Sequence, residues 1–281
     1  MQKTFDLGHV ARRASLYLVV FLVCLVLFFP IYWMFNTSLA PSTELFVYPP
    51  RLIHPNATFD AYRKVLTERP LIQWIGNSLY VVVLVTVAGL GLSLFGGYSL
   101  SRFRHRALTF AGWFFLISRM LPTSLLVIPL FLMMRQLGLI NSLHSLVLAN
   151  LVFIVPFSIW MLKGYFDSIP FELEEAAWLD GCSRTGALLR ITLPLAAPGM
   201  AATALYGAIL TYSEYIFART FITGNSGWTI GLGLASFRGE YATNWNDVMA
   251  ASLIGALPII LIFLVAERYL ISGLTAGAAK S

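Results

Sequence analysis

The sequence predicts an all-α integral membrane protein with six transmembrane helices, and three observations carry that prediction. The 281 residues are 58% hydrophobic and only 11% charged, with 19 basic and 13 acidic side chains. Soluble domains run at about 45–50% apolar and about 25% charged residues, so a water-soluble fold of this length lacks the polar surface it needs. Mean hydropathy is +0.76. Finally, six apolar runs are each long enough for a hydrocarbon core of about 30 Å, which takes roughly 20 helical residues to cross. An ordinary cytosolic enzyme is excluded. So is a disordered chain, because 14% aromatic content with sparse charge is the opposite of the disordered composition.

The first span is residues 16–35, with Pro30 near its outer end and Arg12 and Arg13 before it. It is too long for a signal-peptide core and no small-residue cleavage pattern follows, so it reads as an uncleaved span after a cytoplasmic segment 1–15. The second is 77–100. The third is 108–134, interrupted by Arg119 and Pro122. The fourth is 145–166 with Pro156, the fifth 195–218, and the sixth 248–271 with Pro258. Residues 16–271 thus form one membrane domain, followed by a tail, 272–281.

Eleven basic residues fall on the side of the N-terminus, in the segment with Lys3, Arg12 and Arg13, the Arg102–Arg104–Arg106 loop, the end of span four and the loop after it with Lys163, Arg184 and Arg190, and the end of span six and the tail with Arg268 and Lys280. Seven fall on the other side. Cytoplasmic loops carry the basic excess in membrane proteins, so both termini are expected in the cytoplasm. The net charge of +6 therefore marks topology, not a nucleic-acid site.

Two polar segments fall on the far face. Residues 37–73 contain Pro41, Pro49, Pro50 and Pro55, which favour turns and extended chain. Residues 221–247 contain Gly224, Gly227, Gly231 and Gly233. Asn56-Ala57-Thr58 matches a glycosylation acceptor, which we read as a chance match. Gly89, Ser93 and Gly97 recur every four residues in the second span, and Ala251 and Gly255 do so in the sixth. Such small-residue stripes let helix backbones approach closely in lipid.

The loop 167–194 is the most unusual stretch, holding five acidic residues. Ser168 reads as an N-cap, Pro170 as a first-turn residue, and Glu172, Glu174 and Glu175 complement the positive end of a helix of about ten residues that Gly181 closes. Ser183 starts a second short helix, which Pro194 ends. Phe171, Trp178 and Leu179 add apolar groups. An interfacial helix would be basic on its polar face. This one is acidic, and docking to a soluble partner is the better reading.

Glu175-Ala176-Ala177, then three residues, Gly181, nine residues and Ile191-x-Leu193-Pro194 resembles the EAA loop of bacterial ABC-importer permeases, with no gap in the spacing. Residues 30–39, Met120-Leu121-Pro122, residues 137–142 and the tail 273–280 are similar to MalG-like sugar permeases. The resemblance implies a type I ABC importer permease fold in the bacterial inner membrane. It implies a homologous MalF-like second permease, two ATP-binding subunits holding ATP and Mg, and an extracytoplasmic solute-binding protein. This chain itself would bind no cofactor, and besides those proteins it would contact membrane lipid. The loop with Glu174, Glu175, Ala176, Ala177, Gly181, Ile191, Leu193 and Pro194 would be the coupling element seated in the ATPase. Residues 221–247 would resemble the loop that reaches into the binding protein.

Where many relatives carry Trp-Asn-Glu-Phe-like residues, this sequence has Tyr212-Ser213-Glu214-Tyr215, and Arg119 precedes Met120. An arginine within a span costs at least ~2.5–3.5 kcal/mol on insertion scales and faces protein or water. Arg119, Tyr212, Glu214 and Tyr215 are the expected lining of the translocation path. Counted at ~1.5 Å per residue, Arg119 and Glu214 differ in depth by roughly 12 Å, which favours two separate polar sites over a salt bridge.

Other classes fit less well. The chain has no G-x-x-x-x-G-K-[ST] loop and no H-E-x-x-H, and His9, His54, His105 and His144 are scattered. Cys24 and Cys182 give no metal or disulfide spacing. No catalytic or metal site is expected. A proton-coupled secondary transporter needs paired intramembrane carboxylates, and Glu214 stands alone. Within the importer class, a sugar or oligosaccharide suits Tyr212 and Tyr215 as ring-stacking groups, while Arg119 leaves glycerol-phosphate or another small anionic solute as the alternative.

Overall fold

A computed structural model describes residues 7–238 and 243–278, with side chains described over 12–238 and 243–269. Lys3 and Lys280, the His9 side chain, part of the loop 221–247 and the end of the tail lie outside the described residues. The helices are α1 (Leu7–Leu39), α2 (Asp60–Thr67), α3 (Leu71–Arg102), α4 (Arg106–Ser118), α5 (Thr123–Gln136), α6 (Leu143–Asp167), α7 (Glu172–Leu179), α8 (Arg184–Ala187), α9 (Leu193–Leu195), α10 (Ala197–Tyr212), α11 (Ile216–Phe221), α12 (Ile230–Ala235) and α13 (Trp245–Ala278). No strand occurs among the described residues, apart from one isolated bridge between Arg238 and Thr243.

α1, α3, α6 and α13 are each long and apolar enough to cross a membrane alone. Two bent pairs bring the number to six if each is taken as one span: α4 with α5, turned through 106°, and the run Arg184–Leu195 with α10, turned through 73°, of which α10 falls in the span expected over 195–218. The third span, expected over 108–134 with an interruption at Arg119 and Pro122, is therefore two helices at a steep angle. Pro122 offers no N–H to α4 and pushes Leu121 out of the helical region, so the chain must turn. Arg119, Met120 and Leu121 tighten the end of α4 by donating to Leu116, Ile117 and Ser118. The fifth span also stops short, since α10 ends at Tyr212 and a separate α11 follows.

The chain divides into two compact units. One comprises the described parts of Met1–Pro70 and Phe237–Ile254. Its centre is Glu44, which accepts from Asn56 (2.9 Å), Arg51 (3.1 Å) and His54 Nδ1 (3.4 Å). Asn56, itself exposed, is thereby tied to Glu44. The Asn56 amide is the main influence holding the Glu44 carboxyl below its ordinary value, with desolvation opposing it and His54 and Arg51 adding to it. Prolines keep 45–58 from forming helix, but past Pro55 an amphipathic α2 buries Ala61 and Val65. Lys64 of α2 reaches Asp247 at 2.7 Å.

The other unit, Leu71–Ser236 with the described part of Gly255–Ser281, is built on α3 against α6 and α10. The stripe Gly89–Ser93–Gly97 is the α3–α6 seam. A side chain at Gly97 would meet the Ile159 carbonyl oxygen at 3.0 Å and the Lys163 nitrogen at 3.1 Å, and Ser93 donates to the Val155 carbonyl. Gly255 meets Ile230 in the same way at 3.0 Å. The core proper is Val81, Val85, Leu146, Ile154, Phe217 and Phe221 with their neighbours.

Residues 222–236 are packed against α3. Asn77 donates to the carbonyls of Ser226 and Trp228, each at 2.8 Å, and Ser78 accepts from Ile230 at 2.8 Å. Gly233 lies so close to Trp74 that a Cβ there would sit 2.1 Å from the ring. These glycines act as contact surfaces, and a loop-punctuation reading of glycine misses that use.

Candidate functional site

The loop after α6 forms a knob of short helices. Ser168 does not cap α7, because its hydroxyl donates back to the Tyr165 carbonyl (2.7 Å) as part of the α6 C-terminus. The residue before α7 is Phe171. Gly181 adopts φ +85° and closes α7, and Ser183 caps α8 by accepting from Gly186 at 3.1 Å. Pro194 does not end the second helix. A π-turn, Leu188–Thr192, precedes it, and Pro194 sits in the first turn of α9, where its missing N–H is not needed. The helical run continues to Leu195.

The two adjacent glutamates meet different surroundings, as a step of about 100° per helical residue allows. Glu174 is fully buried, accepting from Tyr98 Oη (2.7 Å) and Arg102 Nε (2.8 Å) of α3. Arg102 also donates to the Ile169 carbonyl at 3.1 Å and lies over the Phe171 ring. Phe171 meets Trp178 edge-on, and Arg184 covers the Trp178 face at 5.2 Å. Glu175, Ala176, Gly181 and Pro194 are exposed, with Leu179 90% exposed beside them. Ala177 is buried, and Ile191 and Leu193 are half-buried. The knob therefore presents a small, acidic and apolar outer face on an ion-paired inner one. Tyr98 and Arg102 were missed as site residues. Their i, i+4 spacing on one face of α3 was a usable signal.

The polar groups of the bundle form two separate sites. Arg119, at the C-terminus of α4, donates to the Phe153 carbonyl at 3.2 Å and to Tyr206 Oη, with its guanidinium over the Phe157 and Tyr206 rings. It has no carboxylate partner among the described residues. Glu214 instead accepts from the backbone N–H groups of Phe217 (2.6 Å) and Ala218 (3.1 Å), satisfying the open first turn of α11. Tyr212 is buried and donates to the Gly255 carbonyl at 2.5 Å, while Tyr215 is 40% exposed. Among the described residues no group of three or more His, Cys, Asp or Glu side chains is placed to hold a metal ion.

The family model described as binding-protein-dependent transport system inner membrane component matches residues 89–271. The chain belongs to this family. The permease is 34% identical over 275 residues to the trehalose/maltose transport system permease protein MalG of Thermococcus litoralis, covering 97% of this chain and 98% of that one. It is 34% identical over 254 residues to the diacetylchitobiose uptake system permease protein DasC of Streptomyces coelicolor, with 90% and 92% covered. A chain from the crystal structure of a bacterial ABC transporter involved in the import of the acidic polysaccharide alginate superposes with a TM-score of 0.75 at 22% identity, covering 95% of the permease and 99% of that chain. The all-α membrane fold and the MalG-like resemblance are borne out, and the permease is a transport subunit, not an enzyme.

Proposed function

We propose that the permease imports a sugar or oligosaccharide, lining the path with a homologous second permease and coupling through residues 167–194 to two ATP-binding subunits. ATP and Mg belong to those subunits. An extracytoplasmic binding protein delivers the solute to the face carrying 37–73 and 221–247, and both termini are cytoplasmic, bounding a membrane domain of 16–271. One observation carries the coupling role: the outer face of α7 places Glu175, Ala176 and Gly181 in the open, small enough for close approach, while its inner face is ion-paired to the bundle. The sugar assignment is supported by relatives named for trehalose, maltose and diacetylchitobiose uptake.

Purification of the permease with its partners tests both parts. An ATPase subunit co-purifies, and an oligosaccharide raises the melting temperature of the co-purifying binding protein. Recovery without any ATPase subunit rejects the coupling role. A small anionic solute is the second reading, favoured by Arg119, whose guanidinium is held by neutral acceptors and rings alone. Stabilisation of the binding protein by an anionic ligand and not by neutral sugars selects it.

A further inference from the structure

We propose that Tyr98, Arg102 and Glu174 form a latch that makes α7 and the cytoplasmic end of α3 one mechanical body, so that force applied to the loop enters the bundle through α3. The inference rests on the coupling role given to 167–194 and adds the route by which that coupling travels. The covalent route out of α7 is indirect. At its C-terminus lies Gly181, at φ +85°, where an added Cβ would find nothing within 4 Å. After α8 comes a π-turn, and then a 73° bend before α10.

The non-covalent route is short and rigid. Glu174 has no exposed surface and Arg102 only 7% of its side chain, so the pair cannot exchange its partners for water without opening the site. Charge-assisted hydrogen bonds of 2.7–2.8 Å fix the carboxylate between two groups one helical turn apart on α3. The same guanidinium holds the Ile169 carbonyl and the Phe171 ring, so it clamps the entry to α7 as well as its first turn. From there α3 runs 32 residues along the α6 seam and the α10 contact. Arg102, Tyr98 and Glu174 are positioning residues, acting through α7 and not by touching the ATPase. Glu175, one residue on, faces outward.

The test uses the assembled importer in proteoliposomes and reads solute moved per ATP hydrolysed. In Glu174→Gln and Arg102→Lys the ATPase subunit stays bound and hydrolysis continues, while the ratio falls between about threefold and thirtyfold, the range over which single residues modulate coupling between sites. Tyr98→Phe gives a smaller drop. With Cys24→Ser and Cys182→Ser as background, the pair Arg102→Cys and Glu174→Cys lowers the ratio. A short reducible thiol cross-linker between them restores it, and reductant abolishes the rescue. An unchanged ratio in Glu174→Gln overturns the latch while leaving the coupling role intact. Loss of the ATPase subunit from Tyr98→Phe, the mildest change, also overturns it, since the cluster would then only shape the docking face. A wild-type complex that never carries an ATPase subunit removes the coupling role itself.

Discussion

At the scale of single residues, neighbouring groups of one chemical type carry unlike tasks, and burial separates them. Glu44 accepts three hydrogen bonds in its loop and is held below the ordinary carboxylate value of 4.5. A lowered native value means its contribution is complete above 4.5 and is lost as pH falls through that lowered value. The loop contacts around Glu44 should therefore loosen on acidification below that point, read as a lower hydrogen-exchange protection factor at Thr58, whose N–H bonds the Leu39 carbonyl. Protection that stays constant to strongly acid pH contradicts this. Arg119 sits against a carbonyl, a phenol and two rings, so Arg119→Met keeps the packing and removes the charge. If Arg119 lines the path, uptake drops by about tenfold or more, equivalent to at least ~1.4 kcal/mol. Unchanged uptake leaves it as a packing group that ties α4 to α6 and α10 through Phe153 and Tyr206. Tyr212→Phe loses one buried bond to Gly255 and should cost about 0.5–1.5 kcal/mol of stability, seen as a lower denaturation midpoint.

Among elements, the sequence disclosed lengths and faces but not directions. The six apolar runs were legible because a bilayer demands length and low charge, which composition records directly. The α3 seam was legible as well, since small residues four apart leave a visible stripe. The 106° turn between α4 and α5 was not, because Pro122 announces an interruption without its angle. Nor was the inward turn of Glu174, since three acidic residues in one helical turn look alike until the partner face is known. The packing of the glycines of 222–236 was not legible for a related reason: the letter G does not distinguish a free turn from a close approach to Trp74. Matched glycine substitutions check the seam. Gly97→Val forces a side chain into backbone atoms 3.0–3.1 Å away and should cost about 1–3 kcal/mol or separate α3 from α6. Gly91→Ala, with nothing within 4 Å, should be neutral or stabilise by about 0.5–1 kcal/mol. Equal melting temperatures for the two variants refute the seam.

For the whole molecule, what the chain leaves uncovered matters as much as what it buries. None of the most apolar stretch of α1 is buried within the chain, against half of that of α6. Within one unit α3, α10 and α13 leave an apolar groove of about 540 Å³ between Val83, Ala204 and Leu261. In lipid such surfaces carry no penalty, so the fold can leave them for hydrocarbon or another membrane helix. The chain tolerates change in length unevenly for a further reason. Between the α6 terminus and Gly181 the inward Glu174 and the outward Glu175 are consecutive, and each residue advances a helix by 100°. Deleting Leu173 from the first turn of α7 would carry Glu175 toward the Arg102 guanidinium and turn an alanine out in its place. The composition would hardly change and every acid would still be present, yet the face offered to a neighbour would be a different one. This short stretch is read in frame, like a code, whereas the proline-rich segment 45–58 is constrained mainly at the few points where its side chains are held.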